Sequence, residues 1–193
     1  MKKLNGILLI AVVSFVFIAL TGCSSQGTQT GTKTTQPSQP TKKVQSVIQD
    51  PRAVKYEGAA NLAKYEAAAK SNPSNAQDQF NAGISAFVNK KYDQSIQYYQ
   101  ATIKLDPQNG MAYNSIGNIY LYTMKQPQTA LPYYLKTTEI TPNYAYGWLN
   151  KYNCEMALGN KAAAKATLQK GLSVIPSTDP LYPTLKKALT SLG

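Results

Sequence analysis

Apolar residues recur at helical spacing through residues 61–192, and four prolines interrupt the pattern at a nearly constant interval. These are Pro73 in SNPSN, Pro107 in LDPQN, Pro142 in ITPNY and Pro176 in VIPST. The successive spacings are 34, 35 and 34 residues. Because proline lacks an amide hydrogen and disfavours a helical residue before it, each proline marks the end of a helix. An interval of this length indicates a stack of repeated helical units.

Small and large residues also recur at fixed positions within these units. Positions are counted within each unit from the third residue after the preceding proline, so the units begin at Ala76, Gly110 and Ala145. Gly83 and Gly117 stand at position 8, where two antiparallel helices approach each other closely. Tyr99 and Tyr134 stand at position 24, where a large side chain fills the space between helices. Together with the interval, these positions resemble the tetratricopeptide repeat, a helix–turn–helix unit. The resemblance implies an all-α fold, an α-solenoid in which each unit buries against its neighbour an apolar face that it cannot cover alone.

The register of the prolines sets the expected boundaries. We predict about three repeats, a degenerate N-terminal half repeat and a C-terminal capping helix, which carries Leu185, Leu189 and Leu192 at helical spacing. The predicted segments are an N-terminal helix or degenerate repeat over residues 44–75, repeats over 76–109, 110–144 and 145–178, and the capping helix over 179–193.

Two places depart from the repeat pattern. The second repeat has one extra residue, which we predict in the turn around residues 125–127. The third repeat has Lys151, Tyr152 and Glu155 at positions that are usually apolar or small. Either this helix packs more loosely, or the stem of Lys151 lies along the core while its charge stays in water.

The first residues have the order typical of a secretory signal peptide: two lysines, an apolar run from Ile7 to Leu20, and then small residues. The run is shorter than the roughly 20 residues needed to cross a bilayer. The motif LTGC, which ends at Cys23, resembles the lipobox of bacterial lipoproteins. The resemblance implies a signal peptide over residues 1–22, cleavage before Cys23, and lipid attachment, including palmitate, at the Cys23 thiol.

Residues 23–43 begin with that cysteine and continue as a stretch rich in Ser, Thr, Gln, Gly and Pro. Such a composition cannot bury enough apolar surface to offset its ordering entropy, so we predict a disordered tether. Two acyl chains suffice for stable anchoring. We therefore expect the protein in the cell envelope, lipid-anchored on the extracytoplasmic side of a bacterial membrane. The alternative is an ordinary secreted protein with an incidental cysteine near its cleavage site.

The residue inventory argues against an enzyme. The chain has no histidine, which excludes histidine acid–base chemistry and histidine metal sites. It has no phosphate-binding loop, and its nine acidic residues are scattered without a close catalytic pair. Cys154 has no histidine to activate it, so we expect a buried, inert thiol. We predict no catalytic residue, no cofactor and no metal site.

A binding groove is the candidate functional feature. In the family that the chain resembles, the first helix of each repeat lines a concave groove. The resemblance assigns to a peptide-binding groove the residues Asn81, Met111, Asn114, Asn118, Tyr122, Tyr146, Asn150 and Asn153. Asparagine offers both a donor and an acceptor, so a row of asparagines can pair with the backbone of an extended peptide. The alternative is that these asparagines are merely solvated residues on a helix face.

The groove positions contain no lysine or arginine, so they lack a cationic clamp for a C-terminal carboxylate, which disfavours a chaperone-tail receptor. The sequence favours a membrane-anchored adaptor or scaffold that binds a protein or extended peptide segment and takes part in assembling an envelope complex. The alternative is a cell-envelope protein that binds an anionic polymer or lipid surface through lysines at turns and on second helices, since the net charge is +11. We expect no nucleic acid partner, because the chain is predicted to be exported.

Overall fold

Eight α-helices follow one another along residues 54–193, the part of the chain that the computed structural model describes. The predicted signal peptide, the lipidated Cys23, the tether and the start of segment 44–75 lie outside these residues. A 3₁₀ turn, Val54–Tyr56, precedes the first α-helix. The helices are α1 Ala59–Ser71, α2 Ala76–Val88, α3 Tyr92–Leu105, α4 Gly110–Asn118, α5 Pro127–Ile140, α6 Ala145–Ala157, α7 Lys161–Val174 and α8 Tyr182–Ser191.

Asparagine caps begin three of these helices. The side chain of Asn75 accepts hydrogen bonds from the backbone N–H groups of Gln77 and Asp78 at the start of α2. Asn109 caps α4 and Asn160 caps α7 in the same way. Such caps satisfy N–H groups that have no partner within the helix. In α2 and α4 the cap lies two residues after the proline that follows the preceding helix, which explains why the chain stops and restarts so sharply.

The helices pair antiparallel, and the pairs stack on one another. Glycine makes the close approach possible: a Cβ atom added at Gly83 would lie 2.7 Å from the ring of Tyr99, and one added at Gly117 would lie 2.7 Å from the ring of Tyr134. Buried clusters join successive pairs. One contains Phe80 of α2 together with residues of α3 and α4, and another joins α6, α7 and α8. This stacking confirms the predicted all-α solenoid.

The extra residue of the second repeat lies in its first helix, and the prediction that placed it in the following turn was wrong. Residues Ile119–Thr123 form a π-helical turn that continues α4. A π-turn accommodates one additional residue within a helix. Both Ile119 and Leu121 are buried there, so the bulge keeps the apolar side chains in the core while the helix axis shifts.

The expectation that the charge of Lys151 stays in water does not hold. Lys151 Nζ donates to Thr167 Oγ1 at 2.9 Å and lies 3.4 Å from Glu155 Oε1. The two side chains are only 15% and 6% exposed. The lysine charge is therefore paired inside the interface between α6 and α7 and does not extend into water.

Within residues 54–193, no helix has both the length and the apolar character that crossing a bilayer requires.

Candidate functional site

The first helices of the three repeats, α2, α4 and α6, lie side by side, and the predicted groove residues project from them. The structure joins four of these residues directly. Asn150 Nδ2 on α6 donates to Asn114 Oδ1 on α4 at 3.0 Å. Tyr122, in the π-turn, donates its hydroxyl proton to Asn150 Oδ1 at 3.1 Å and accepts from Asn153 Nδ2 at 2.9 Å. We call this set, Asn114, Tyr122, Asn150 and Asn153, the amide chain.

The hydrogen bonds within the amide chain fix which way each side-chain amide faces. Each internal hydrogen bond uses one donor and one acceptor, so the orientation of every side-chain amide in it is set by its neighbours. Within residues 54–193, neither the Nδ2 group of Asn114 nor Oδ1 of Asn153 has a hydrogen-bond partner. Asn114 and Asn150 are only 5% and 8% exposed, so most of the amide chain is buried between α4 and α6. At the groove surface the amide chain offers an amide donor at the Asn114 end, where little of the side chain is accessible, and a carbonyl acceptor at Asn153, which is half-buried. The backbone of an extended peptide carries both N–H donors and C=O acceptors, so it can pair with an acceptor at one end and a donor at the other.

The π-turn brings Tyr122 into this chain. Burial raises the pKa of the Tyr122 hydroxyl, the hydrogen bond from Asn153 lowers it, and nearby Cys154 raises it again. The hydroxyl thus stays protonated and able to donate to Asn150. Sequence reasoning placed Tyr122 in the groove but missed the π-turn, whose signal was the 35-residue spacing from Pro107 to Pro142.

Two other predicted asparagines lie outside the amide chain and accept hydrogen bonds from tyrosine hydroxyls. Asn118 Oδ1 accepts a hydrogen bond of 2.9 Å from the hydroxyl of Tyr134, a side chain buried between α4 and α5. Asn81 Oδ1 accepts from the hydroxyl of Tyr56 at 3.1 Å and from Gln77 Nε2 at 3.1 Å. The structure thus separates the asparagines into a joined central set and two that brace neighbouring tyrosines.

The predicted apolar contacts of the groove are exposed. Met111, the second residue of α4, is 51% exposed, and Tyr146, the second residue of α6, is 53% exposed. The Tyr146 ring lies 5.8 Å from the ring of Tyr144, which supports it from one side. Exposed large apolar side chains at equivalent positions of adjacent repeats are typical of an interaction surface.

Cys154 lies beneath the groove and is fully buried. Its Sγ donates to the backbone carbonyl of Pro127 at 3.1 Å, which ties α6 to the turn of the second repeat. Burial, and to a smaller extent the charge of Glu155, raise the pKa of this thiol to about 11. A neutral, enclosed thiol is a poor nucleophile. Among residues 54–193, no group of three His, Cys, Asp or Glu side chains is arranged to hold a metal ion.

Comparison with known proteins agrees with this geometry. The model of a tetratricopeptide repeat family matches residues 55–110 and 80–145. The chain is 27% identical over 117 residues to "Protein STIP1 homolog" of Dictyostelium discoideum, covering 61% of this chain and 21% of that protein. It is 33% identical over 90 residues to "Heat shock protein sti1 homolog" of Schizosaccharomyces pombe, covering 47% of this chain and 15% of that protein. The chain thus spans about a fifth or less of the length of these relatives.

Solved structures share the fold. The MamA RS-1 ArsTM double mutant superposes with a TM-score of 0.60 at 17% identity, covering 77% of this chain and 80% of that one. The Yersinia enterocolitica type III secretion chaperone SycD, solved with a peptide of the translocator YopD, gives 0.52 at 17% identity and covers 60% and 87%. Residues 54–193 thus form an α-solenoid of stacked helix pairs, and residues 55–145 of it match the tetratricopeptide repeat model.

Proposed function

We propose that this protein is an adaptor that binds an extended peptide segment of a partner protein in the groove formed by α2, α4 and α6. The observation that carries the proposal is the amide chain, flanked by the exposed side chains of Met111 and Tyr146. Met111 and Tyr146 supply apolar contact area, and the two ends of the amide chain supply backbone-directed hydrogen bonds.

Pre-organisation is the physical advantage of this arrangement. The hydrogen bonds among Asn114, Asn150, Tyr122 and Asn153 hold the side chains in place before a ligand arrives. Less side-chain entropy is then lost on binding, so more of the contact energy contributes to affinity. The SycD structure, with its bound YopD peptide, supports peptide binding by a protein of the same fold.

The charge of the groove argues for the kind of peptide. None of its predicted positions carries lysine or arginine, and the one lysine on α6, Lys151, is paired with Glu155 and Thr167 inside the core. A ligand recognised through a free carboxylate would find no cation here. We infer that the groove takes an internal, extended segment of mixed polar and apolar character.

The proposed setting is the surface of a bacterial membrane. Lipid attachment at Cys23, supported by the LTGC motif and the apolar run before it, would hold the solenoid at the extracytoplasmic face. Mass spectrometry of Cys23 in the protein isolated from membranes tests this part. A diacylglyceryl-modified N-terminal cysteine is expected, and an unmodified cysteine in a freely secreted chain would contradict it.

Peptide binding is tested by selecting displayed random dodecapeptides against the full chain and measuring the affinity of the selected peptides. The double variant Met111→Ala/Tyr146→Ala removes the exposed groove side chains without touching the core. We expect affinity to fall by a factor of roughly 30 to 1,000, because each of the two anchors contributes roughly 1–2 kcal/mol. Peptides with an amidated C-terminus should bind as well as free acids.

The matched control is Leu105→Ala/Leu135→Ala. These leucines are 40% and 48% exposed, and they lie on the second helices α3 and α5, away from the groove. This variant should bind normally. Loss of binding in the control alone, or loss of affinity between 50 and 300 mM salt, would move the binding site to another surface and reject the groove. Asn118→Ala is a poor test, because it would leave the buried hydroxyl of Tyr134 without its acceptor.

A further inference from the structure

The turns of the solenoid lie along two edges. The turns inside the repeats, at residues 89–91, 124–126 and 158–160, share one edge, because antiparallel pairs place every first-helix end there. We call this the turn edge. The turns between repeats lie along the opposite edge, at residues 72–75, 106–109 and 141–144.

The described chain begins at the turn edge. Ser85 Oγ and Asn89 Nδ2 both donate to the backbone carbonyl of Tyr56, at 2.7 and 3.0 Å. The backbone N–H of Gly58 donates to Asn89 Oδ1 at 2.9 Å. Since Asn89 stands at the end of α2, these bonds fix residues 54–58 beside the first intra-repeat turn.

The two edges differ in charge. Exposed lysines gather at the turn edge, which has two acidic residues nearby, Glu57 and Asp93. The opposite edge is close to neutral: Lys70 and Lys104, with Lys136 and Lys170 one helical turn further in, stand against four acidic residues, and Lys136 is paired with Glu139 at 2.9 Å. The turn-edge lysines are Lys55, Lys90, Lys91, Lys125 and Lys161. The acidic residues of the opposite edge are Asp78, Asp106, Glu139 and Asp179.

Two turn-edge lysines hold a backbone conformation that disfavours any side chain. Lys90 has φ +61° and Lys125 has φ +58°, whereas the equivalent position of the third repeat is a glycine, Gly159, at φ +75°. The turns are alike: Lys91 N–H donates to Ala86 O, and Asn160 N–H donates to Glu155 O. Glycine is the favoured residue at this helix end. Lysine at two of the three positions therefore points to a use for the side chain.

We propose that the turn edge docks against an anionic lipid bilayer, so that the helix axes stand on the membrane surface and the opposite, nearly neutral edge faces away from it. This goes beyond the adaptor function and does not require peptide binding. The choice of a bilayer as occupant rests on the proposed lipid anchor. Cys23 precedes the turn edge by about 30 residues, of which the predicted tether, residues 23–43, spans roughly 25 Å. Lysines held so close to an anionic surface are attracted to it.

Lysine footprinting of the full chain tests the proposal. The protein is incorporated into vesicles of phosphatidylglycerol with phosphatidylcholine, or of phosphatidylcholine alone, and treated with a water-soluble acetylating reagent. Mass spectrometry then reads the modification of each lysine. In anionic vesicles Lys90, Lys91, Lys125 and Lys161 should react several-fold more slowly than in neutral ones. Lys70 and Lys104 should react equally in both, and 0.5 M salt should abolish the difference.

Two variants of equal net charge separate the edges. In Lys90→Gly/Lys125→Gly, whose glycines suit the backbone, the protection of Lys91 and Lys161 should be lost, with docking weakened roughly 30-fold. Lys70→Gln/Lys104→Gln should leave the protection unchanged. Equal reactivity in the two vesicle types, or protection of the opposite edge, would overturn the proposal.

Other outcomes point to other occupants. Protection of the turn edge by soluble polyglutamate but not by phosphatidylglycerol vesicles would reject the bilayer in favour of an anionic polymer or an acidic protein. Peptide affinity measured in the same vesicles keeps the two proposals separate. If the turn-edge lysines are not protected while the peptide still binds, membrane docking is rejected and the groove is not. If the lysines are protected while the peptide does not bind, the groove is rejected and membrane docking is not.

Discussion

The second and third repeats have second helices of the same length, 14 residues each, but differ in the side chains packed between their two helices. In the second repeat, α4 and α5 meet where the Tyr134 ring covers Gly117. In the third, the corresponding positions hold Tyr152 and Leu168, and the polar pair of Lys151 and Glu155 lies between α6 and α7. The two repeats therefore have the same helix arrangement, but glycine packing fills one helix interface and a buried ion pair lies in the other. The repeat pattern determines where the helices approach, and different sets of side chains can fill the space between them.

The energetic character of the two interiors differs. Close packing at Gly117 depends on the fit of the Tyr134 ring against the glycine, so an added methyl group would clash with that ring. The ion pair depends on both partners, and Glu155 Oε2 is buried without a hydrogen-bond partner within residues 54–193. A buried pair of this kind gains little net stability over an apolar pair, yet removing one partner leaves an uncompensated charge.

The largest expected effect follows from breaking that pair in the third repeat. Lys151→Met leaves the Glu155 carboxylate buried without its cation and should lower the free energy of unfolding by about 3 kcal/mol. The double variant Lys151→Met/Glu155→Leu should recover to within about 1 kcal/mol of the parent, because no charge remains buried. Urea denaturation of the three proteins measures both values. Additive losses in the double variant would show that the pair is not coupled.

Adding a methyl group to the second repeat should cost somewhat less. Gly117→Ala places a Cβ 2.7 Å from the Tyr134 ring and should destabilise the fold by about 2 kcal/mol, although alanine favours helix by about 1 kcal/mol. The third repeat supplies the control, since leucine replaces tyrosine there. In a Tyr134→Leu background, Gly117→Ala should cost nothing further in thermal unfolding. A full loss in that background would place the clash elsewhere.

Lysine and glycine occupy the equivalent turn positions 125 and 159, and substituting each by the other should change stability in opposite directions. Lys125→Gly should raise the free energy of unfolding by about 1 kcal/mol, because glycine adopts positive φ without strain. Gly159→Lys should lower it by a similar amount for the same reason. Chemical denaturation compares the pair directly. A gain from Gly159→Lys would mean that lysine is the more stable residue in these turns, and would weaken the argument for membrane docking.

The smallest effect concerns Cys154, which joins the third repeat to the second. Its pKa is raised to about 11 in the folded protein, above the 9.0 of an unperturbed thiol. The folded state therefore binds this proton more tightly, so the stabilisation is complete below pH 9 and falls as pH rises toward 11. About 1 kcal/mol should be lost by pH 10. Cys154→Ala should make stability fall less steeply between pH 8 and 10, and the remaining slope comes from buried tyrosines such as Tyr122, whose pKa is also raised. A slope unchanged by the substitution would exclude the thiol as a contributor.

Most of the fold could be predicted because it depends on local signals. The proline interval located the helix ends, and the small residues at Gly83 and Gly117 identified the close contacts that the structure contains. The position of the extra residue could not be read in this way. Whether a turn or a helix absorbs it depends on the burial of Ile119 and Leu121, which is a property of the packed core.

The sequence predicts which helix face carries the candidate site residues, but it does not predict which hydrogen bonds those residues make. Helical position alone places Asn114, Asn118 and Asn150 on first helices. It does not distinguish Asn150, which bonds to the preceding repeat, from Asn118, which bonds to Tyr134 of its own repeat. The pairing of Lys151 with Glu155 was missed for the same reason, because the partner of a buried charge is decided by tertiary structure.

The groove is tested most directly by NMR of the full chain with a selected peptide, recording the side-chain amide signals of asparagine. The account predicts that the amide signals of Asn114 and Asn153, at the two ends of the amide chain, shift on titration together with the methyl signal of Met111. Those of Asn89, at the turn edge, should stay in place. Shifts confined to the turn edge or to the second helices, with Asn114 and Asn153 unchanged, would contradict it.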